Sequence, residues 1–317
     1  MFVMEPLLAI NAWAILRKPQ ATRPSAITTV AGVRGDLSGI FYNPAVMVTS
    51  RRKEVFAFGE VVGMADDKYG GLFFVTPMGM TKDHAIGGGF LSYDAGTMDL
   101  YYYGSGGLKS ATISLERDYV VFLGYSRKLN KAKSLFVGFS IEFAFSSIVE
   151  RFNSYALAAD FALMYNPVER RNLIFSLSMQ NVGIPLKAFY HEKEPLPVVL
   201  TPGISYSFGI KRFSAFHLFA AFSIDGSTVL NPRRVEGSSL FYLGSVLPTP
   251  GAGLEVGLLK DYRMFMTLDL GYRFNISDAN FSAGFTFYPV ERLDVGIAYT
   301  CSKYLNPSYR VSIGFRF

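Results

Sequence analysis

Three things are scarce in this chain of 317 residues: it has one cysteine, Cys301, one tryptophan, and three histidines. A lone cysteine excludes a disulfide within the chain and any cysteine-based metal site. The histidines, His84, His191 and His217, fall in separate expected elements, and no His-Glu pair has metal-helix spacing. Long hydrophobic runs are also missing. A membrane-crossing helix needs about 18 consecutive apolar residues. Here Gly, Ser, Asp or Arg interrupts the apolar residues every second or third position.

Signals for catalysis are equally sparse. There is no Gly-x-Ser-x-Gly nucleophile motif. Gly104-Ser105-Gly106-Gly107-Leu108-Lys109-Ser110 fails the phosphate-loop pattern, because Leu108 separates the glycine from Lys109. Ser214 and His217 are three residues apart, which places them on opposite faces of a strand. The chain is expected not to be an enzyme and to need no cofactor or metal.

Targeting signals are poor too. The apolar stretch Leu7–Leu16 follows Glu5, has no Lys or Arg before it, and runs into Arg17-Lys18-Pro19. That is an atypical export signal, and residues 1–24 are taken as an atypical N-terminal or targeting segment.

Apolar and aromatic residues are abundant. Half of the chain is hydrophobic and 15% is aromatic, with 29 Phe and 19 Tyr. High hydrophobicity without spanning helices fits a β-barrel in a membrane, where alternate residues face lipid. Net charge is +6, but Arg51-Arg52-Lys53, Arg127-Lys128, Arg170-Arg171 and Arg233-Arg234 are scattered over expected turns. Such spacing suits turns and lipid headgroups, and excludes a nucleic-acid stripe.

The alternation is explicit at the C-terminal end. Tyr309, Val311, Ile313, Phe315 and Phe317 alternate with Arg310, Ser312, Gly314 and Arg316. This predicts a strand with one apolar face, the one that closes a barrel by pairing with the first strand. The same period governs Leu135–Phe145, Leu157–Tyr165, Phe216–Ile224, Met264–Phe274, Phe281–Phe287 and Leu293–Tyr299. Roughly fifteen runs read as strands. Since bacterial single-chain barrels have even strand numbers, about fourteen are expected in an all-β transmembrane antiparallel barrel over 54–317. The Gly87-Gly88-Gly89 region blurs the register between 84 and 118.

Expected turns alternate in length. Short ones fall at 289–292, 260–262, 209–211 and 166–170. Long connections fall at 183–197 and 225–252, stiffened by Pro185, Pro195, Pro197, Pro232, Pro248 and Pro250. Tyr165 and Tyr288 precede two of the short turns, where tyrosine suits an interfacial girdle. Short turns on one side and long ones on the other are the outer-membrane pattern. If the apolar faces meet lipid, Glu142, Asp160, Glu255, Asp269, Arg273, Asp294, Arg310 and Arg316 line the lumen. Both signs are present, so these charges are expected to pair with each other and with whatever fills the barrel.

Residues 25–53 differ: Ala31-Gly32, then Asp36-Leu37-Ser38-Gly39-Ile40-Phe41-Tyr42-Asn43-Pro44-Ala45, are Gly-rich and without alternation. This stretch resembles the opening of the long-chain fatty-acid transporter superfamily of outer-membrane proteins. Further on, Ala159-Asp160, Met179-Gln180-Asn181-Val182-Gly183, Leu196-Pro197 and Pro202-Gly203-Ile204-Ser205-Tyr206 are similar to its shuttle-and-scaffold branch from type IX secretion, as are Gly253–Gly257, Leu270–Arg273 and Tyr309–Phe317. A set of spirochaete outer-membrane proteins has the same layout. The resemblance implies a plug (hatch) over 25–53, with Phe41, Tyr42, Asn43, Pro44 and Ala45 as gating residues. It also implies a bacterial outer-membrane location. The implied partners are membrane lipid, the outer-membrane assembly machinery, and either a hydrophobic small molecule such as a fatty acid or a protein partner of a secretion machine.

Overall fold

The computed structural model describes residues 13–16, 21–27, 37–62, 67–104, 107–129, 134–170, 172–187, 195–213, 216–234, 241–245, 249–261, 263–274, 281–301, 303 and 306–317. Expectations for residues 7–12, 17–19, 31–36 and 105–106, and for His191, Ser214 and Pro248, lie outside these residues.

The strands are β1 (Glu54–Val62), β2 (Lys68–Met78), β3 (His84–Asp94), β4 (Thr97–Gly104), β5 (Gly107–Ser114), β6 (Glu116–Lys128), β7 (Leu135–Ile148), β8 (Phe152–Tyr165), β9 (Leu173–Pro185), β10 (Val198–Phe213), β11 (Phe216–Arg234), β12 (Phe241–Ser245), β13 (Thr249–Lys260), β14 (Arg263–Arg273), β15 (Phe281–Val290), β16 (Leu293–Thr300) and β17 (Ser308–Arg316). Fourteen of them form one closed antiparallel ring. β4 and β5 form a separate ribbon, and β12 only extends the far end of β11. β17 pairs with β1, from Glu54 opposite Arg316 to Val62 opposite Tyr309. Closure removes the edges that β1 and β17 would otherwise present to lipid.

Alternation sets the two surfaces. On β8, Tyr155, Leu157, Phe161, Leu163 and Tyr165 are exposed, while Ser154, Ala156, Ala158, Asp160, Ala162 and Met164 are buried. Tyr155 to Tyr165 spans about 34 Å of strand at ~3.4 Å per residue; tilted by ~45°, that is about 24 Å, the height of a transmembrane apolar band. The other strands continue it, with Leu72, Phe90, Val121, Ile141, Leu177, Leu268, Ile297 and Ile313 all exposed. No helix among the described residues is long and apolar enough to cross a membrane.

Connections at one end of the ring are short, at 79–83, 129–134, 166–172, 214–215, 261–262 and 291–292. β1 starts and β17 finishes at this same end. The opposite end carries the longest connections, 95–115, 186–197 and 235–248, beside shorter ones at 63–67, 149–151, 274–280 and 301–307.

Four expectations are corrected. Gly209-Ile210-Lys211 is a bulge within β10, not a turn, and the strand runs on to Phe213. Much of 225–252 is strand rather than loop: Pro232 lies opposite Leu243, and Pro250 opposite Gly226. Pro185 likewise ends β9 opposite Ala156. Tyr288 does not join an exterior girdle. It lines an interior cavity with the Arg316 guanidinium 5.8 Å from its ring centre.

Candidate functional site: the barrel interior

The described N-terminal residues pack against the inner wall through two seats built from glycine. The first seat holds a 3-10 helix, Pro44–Thr49. Asn43 caps it: extended backbone (φ −148°, ψ 90°) lets the side-chain oxygen accept from the Ala45 amide at 3.0 Å. Pro44 suits the next position because the amide it lacks would be unpaired there. The helix lies on β3, β6, β7 and β8. Its start abuts Gly138, where a β-carbon would run into the backbone of Pro44 and Ala45. Met47 fills the space over Gly87 and Gly124, which face each other across β3 and β6. The glycines that blurred the sequence register are thus in part places of close approach.

The second seat holds helix α1 (Thr22–Ile27). Its backbone occupies a trough over Gly253 and Gly271 on β13 and β14, and the Ala26 methyl sits over Gly284 on β15. Ser282 Oγ donates to the Ala26 carbonyl at 2.8 Å, and Thr22 and Ser312 share a hydroxyl hydrogen bond of 2.6 Å.

The two seats differ in chemistry. Around the 3-10 helix the contacts are largely apolar, although Ser126, Ser140, Glu142 and Asp160 are buried on the same strands. Phe41 meets Phe122 edge-on at 5.6 Å between ring centres, Phe122 is 5.7 Å from Phe73, and Phe73 stacks with Phe56 and Phe58. Trp13, Ile15, Ile40, Val48, Leu91 and Val120 complete this buried cluster. Around α1 the wall is polar. Arg23 forms an ion pair with Glu255. Arg310 binds Glu60 at 2.7 Å, with both side chains at or below 5% exposure, and also donates to Ser25 Oγ at 2.9 Å. Arg316 holds Asp294 at 2.9 Å and Glu54 at 3.3 Å.

Among the expected plug residues, Phe41, Asn43, Pro44 and Ala45 are buried and Tyr42 is partly so. Glu142, Asp160, Glu255, Asp269, Asp294 and Arg310 are buried on inward-facing positions, and Arg273 is half-buried at the long-connection end of β14. Tyr309, Val311, Ile313, Phe315 and Phe317 are exposed on the outer face. Charge sorts the lumen candidates: Glu255, Asp294 and Arg310 belong to the polar side. Glu142 and Asp160 sit on adjacent strands beside the apolar cluster, where Asp160 accepts from Ser140 Oγ at 3.0 Å and the Asn181 amide at 2.8 Å.

Sequence reasoning missed Arg23, Glu60, Gln180 and Asn181. Phe56, Phe58 and Glu60 share one strand face, so parity could have placed Glu60 inside. Gln180 donates to the Phe41 carbonyl at 2.9 Å. Asn181 marks an irregular seam in the wall. Its φ is +59°, the β8–β9 register slips around Asp160, and β9 stops pairing with β10 beyond Gln180 although it continues to Pro185. Asn181 Nδ2 bridges this gap, reaching the Pro197 carbonyl at 3.0 Å and the Leu16 carbonyl at 3.4 Å. One side chain therefore ties the N-terminal segment to the seam.

A cavity of ≈ 590 Å³ opens at the short-connection end, bordered by Arg23, Arg52, Glu255, Arg263, Glu291 and Arg316. The described residues hold no cluster of His, Cys, Asp or Glu able to hold a metal ion.

Among solved structures, the chain is similar to the Ralstonia pickettii toluene transporter TbuX, with 12% identity and a TM-score of 0.56 over 95% of this chain and 100% of that one. The architecture is the same. The Pseudomonas putida toluene transporter TodX gives 13% identity and a TM-score of 0.52, covering 92% of this chain and 96% of that one. A Pseudomonas aeruginosa FadL homologue gives 11% and 0.50, covering 94% and 98%. No protein-family model and no curated protein matches the sequence. At these identities the likeness is one of fold, and it agrees with the fatty-acid-transporter-like architecture expected from the sequence.

Proposed function

We propose that the chain is a bacterial outer-membrane barrel that binds or passes hydrophobic small molecules, with the N-terminal segment as its plug. The observation that carries this reading is the apolar, aromatic contact between that segment and the inner wall of β1–β8. An apolar solute entering there leaves water and replaces contacts that the plug now makes. The exterior apolar band and the short-turn, long-connection asymmetry support the location. The toluene transport named for two of the structural neighbours supports the ligand class. Long-chain fatty acids belong to the same class and enter through the resemblance carried by the sequence.

Passage is gated by the plug. Asn43 and Pro44 shape the turn that rests on Gly138, and Asn181 joins Leu16 to the seam between β9 and β10. Displacing the segment frees Asn181, and the unpaired stretch of β9 becomes a lateral exit into the bilayer. Phe41, Tyr42, Asn43, Pro44 and Ala45 act as the gate. Glu255, Asp294 and Arg310 hold the plug and the polar wall in register.

The test is uptake of radiolabelled toluene and palmitate by Gram-negative cells producing the chain. We expect faster uptake than in cells without it, and a further change in the Asn43→Ala/Pro44→Ala variant while the barrel stays folded. Unchanged uptake in the folded variant removes the gating role. The rival reading, a scaffold of the type IX secretion kind, rests on the β11–β12 extension, which carries backbone beyond the closed ring. Co-extraction of a stoichiometric polypeptide without effect on uptake favours it.

A further inference from the structure

The β4–β5 ribbon stands apart from the ring, yet it continues the β3–β6 ladder. His84 lies opposite Arg127, Asp94 opposite Arg117, Thr97 opposite Ser114 and Gly104 opposite Gly107. Between the two ladders, Ala95 donates to Glu116 and Leu115 to Gly96, each at 2.9 Å. No residue is inserted on either side, so the facing of the wall carries through. On β3 and β6 the exposed side chains are Ile86, Phe90, Tyr119, Val121 and Leu123. The same face of the ribbon holds Met98 opposite Ile113, Leu100 opposite Ala111, and Tyr102 opposite Lys109 at the tip. The other face is more polar: Asp99 accepts from Thr112 Oγ1 at 2.6 Å, and Tyr101 lies opposite Ser110, with the exposed pair Tyr103 and Leu108 beyond them.

Eight residues per strand extend the ribbon by about 26 Å at ~3.3 Å per residue, with a break in strand structure at Ala95-Gly96, where Gly96 has φ +84°. A two-stranded ribbon is marginal in water by itself. Met98, Leu100 and Tyr102 are nonetheless all exposed. The face that carries Met98, Leu100 and Tyr102 is the one continuous with the lipid-facing band of β3 and β6. An apolar face with tyrosine and lysine at its tip suits the headgroup–acyl boundary.

We infer that the β4–β5 ribbon is a membrane-surface element whose Met98–Leu100–Tyr102 face rests on the lipid of the leaflet at the long-connection end. The inference depends on the wall of β3 and β6 facing a bilayer, so the experiment reads both. In a Cys301→Ser background, single cysteines replace Phe90 on the wall and, in turn, Met98, Leu100, Tyr102, Asp99, Tyr101 and Tyr103 on the ribbon. Each is spin-labelled in vesicles of phosphatidylcholine and phosphatidylglycerol. Collision with molecular oxygen, which enriches in lipid, is compared with collision with a water-soluble nickel chelate.

The expected result is a two-residue alternation: oxygen dominates several-fold at 90, 98, 100 and 102, and nickel dominates at 99, 101 and 103. Nickel dominance along the whole ribbon with position 90 shielded overturns the inference and leaves the bilayer reading of the wall intact. Shielding of 98, 100 and 102 from both reagents means that protein covers the face, which also overturns it. Nickel access at position 90 removes the bilayer reading, and the inference with it.

Discussion

The two halves of the barrel interior hold the same N-terminal segment by different physics. Against β3, β6, β7 and β8 the segment is held chiefly by shape, through Met47 over paired glycines and Phe41 among Phe73 and Phe122, with Asp118 on β6 accepting from the Ile15 amide at 3.3 Å. Against β13 to β17 it is held by charge and hydrogen bonds, through Arg23, Ser25 and Thr22. Apolar contacts are non-directional and can be exchanged for a bound apolar molecule. A buried ion pair cannot, because removing one partner leaves an uncompensated charge. Under the proposed function, the shape-held half is where a hydrophobic ligand would compete with the N-terminal segment, and the charge-held half would keep that segment in place.

The largest effect is expected from Gly138→Leu, which sets a side chain against the Pro44–Ala45 backbone. The variant should form the barrel but lose the seat of the 3-10 helix, read as protease cleavage of the N-terminal segment in intact vesicles. Gly209→Leu, with open space around it, serves as the control and should stay resistant. Next comes Arg310→Met, which strands Glu60. A loss of about 3–5 kcal/mol is expected in reversible denaturant unfolding from lipid vesicles, with much of it recovered when Glu60→Gln is added. A small loss in the single variant would place water around this pair and blur the contrast between the halves.

On the shape-held side, Met47→Ala should cost about 2–5 kcal/mol and Met47→Leu less than about 1.5, since volume matters there more than functional group. Asn43→Ala should cost about 1 kcal/mol through its cap. The smallest effect belongs to Arg52→Ala. Its 2.6 Å ion pair with Glu291 is more than 40% exposed on both sides, and exposed pairs are worth about 0–1 kcal/mol.

The wall was legible in the sequence because strand parity is a local property. Leu157–Tyr165 and Tyr309–Phe317 show their outer faces without reference to anything else. The ribbon was not separable from the wall, because β4 and β5 continue the β3–β6 ladder without a slip. Prolines 232 and 250 suggested loops, yet both lie in strands. The interior was legible only as a list of charges. Partnership depends on residues far apart in the chain, such as Arg23 and Glu255, or Glu60 and Arg310, the last two 250 positions apart. Gly87 looked like noise in the register, and Gly124 drew no notice, since nothing local says that Met47 fills the space above them.

The central claim is that the plug and an apolar ligand share the shape-held half of the interior. Native mass spectrometry of the protein, gently extracted from its own outer membrane, tests this most directly. The account predicts apolar small-molecule adducts that increase when Asn43→Ala and Pro44→Ala are introduced together, because the loosened segment competes less for the same contacts. A bound polypeptide with no apolar adduct would contradict it.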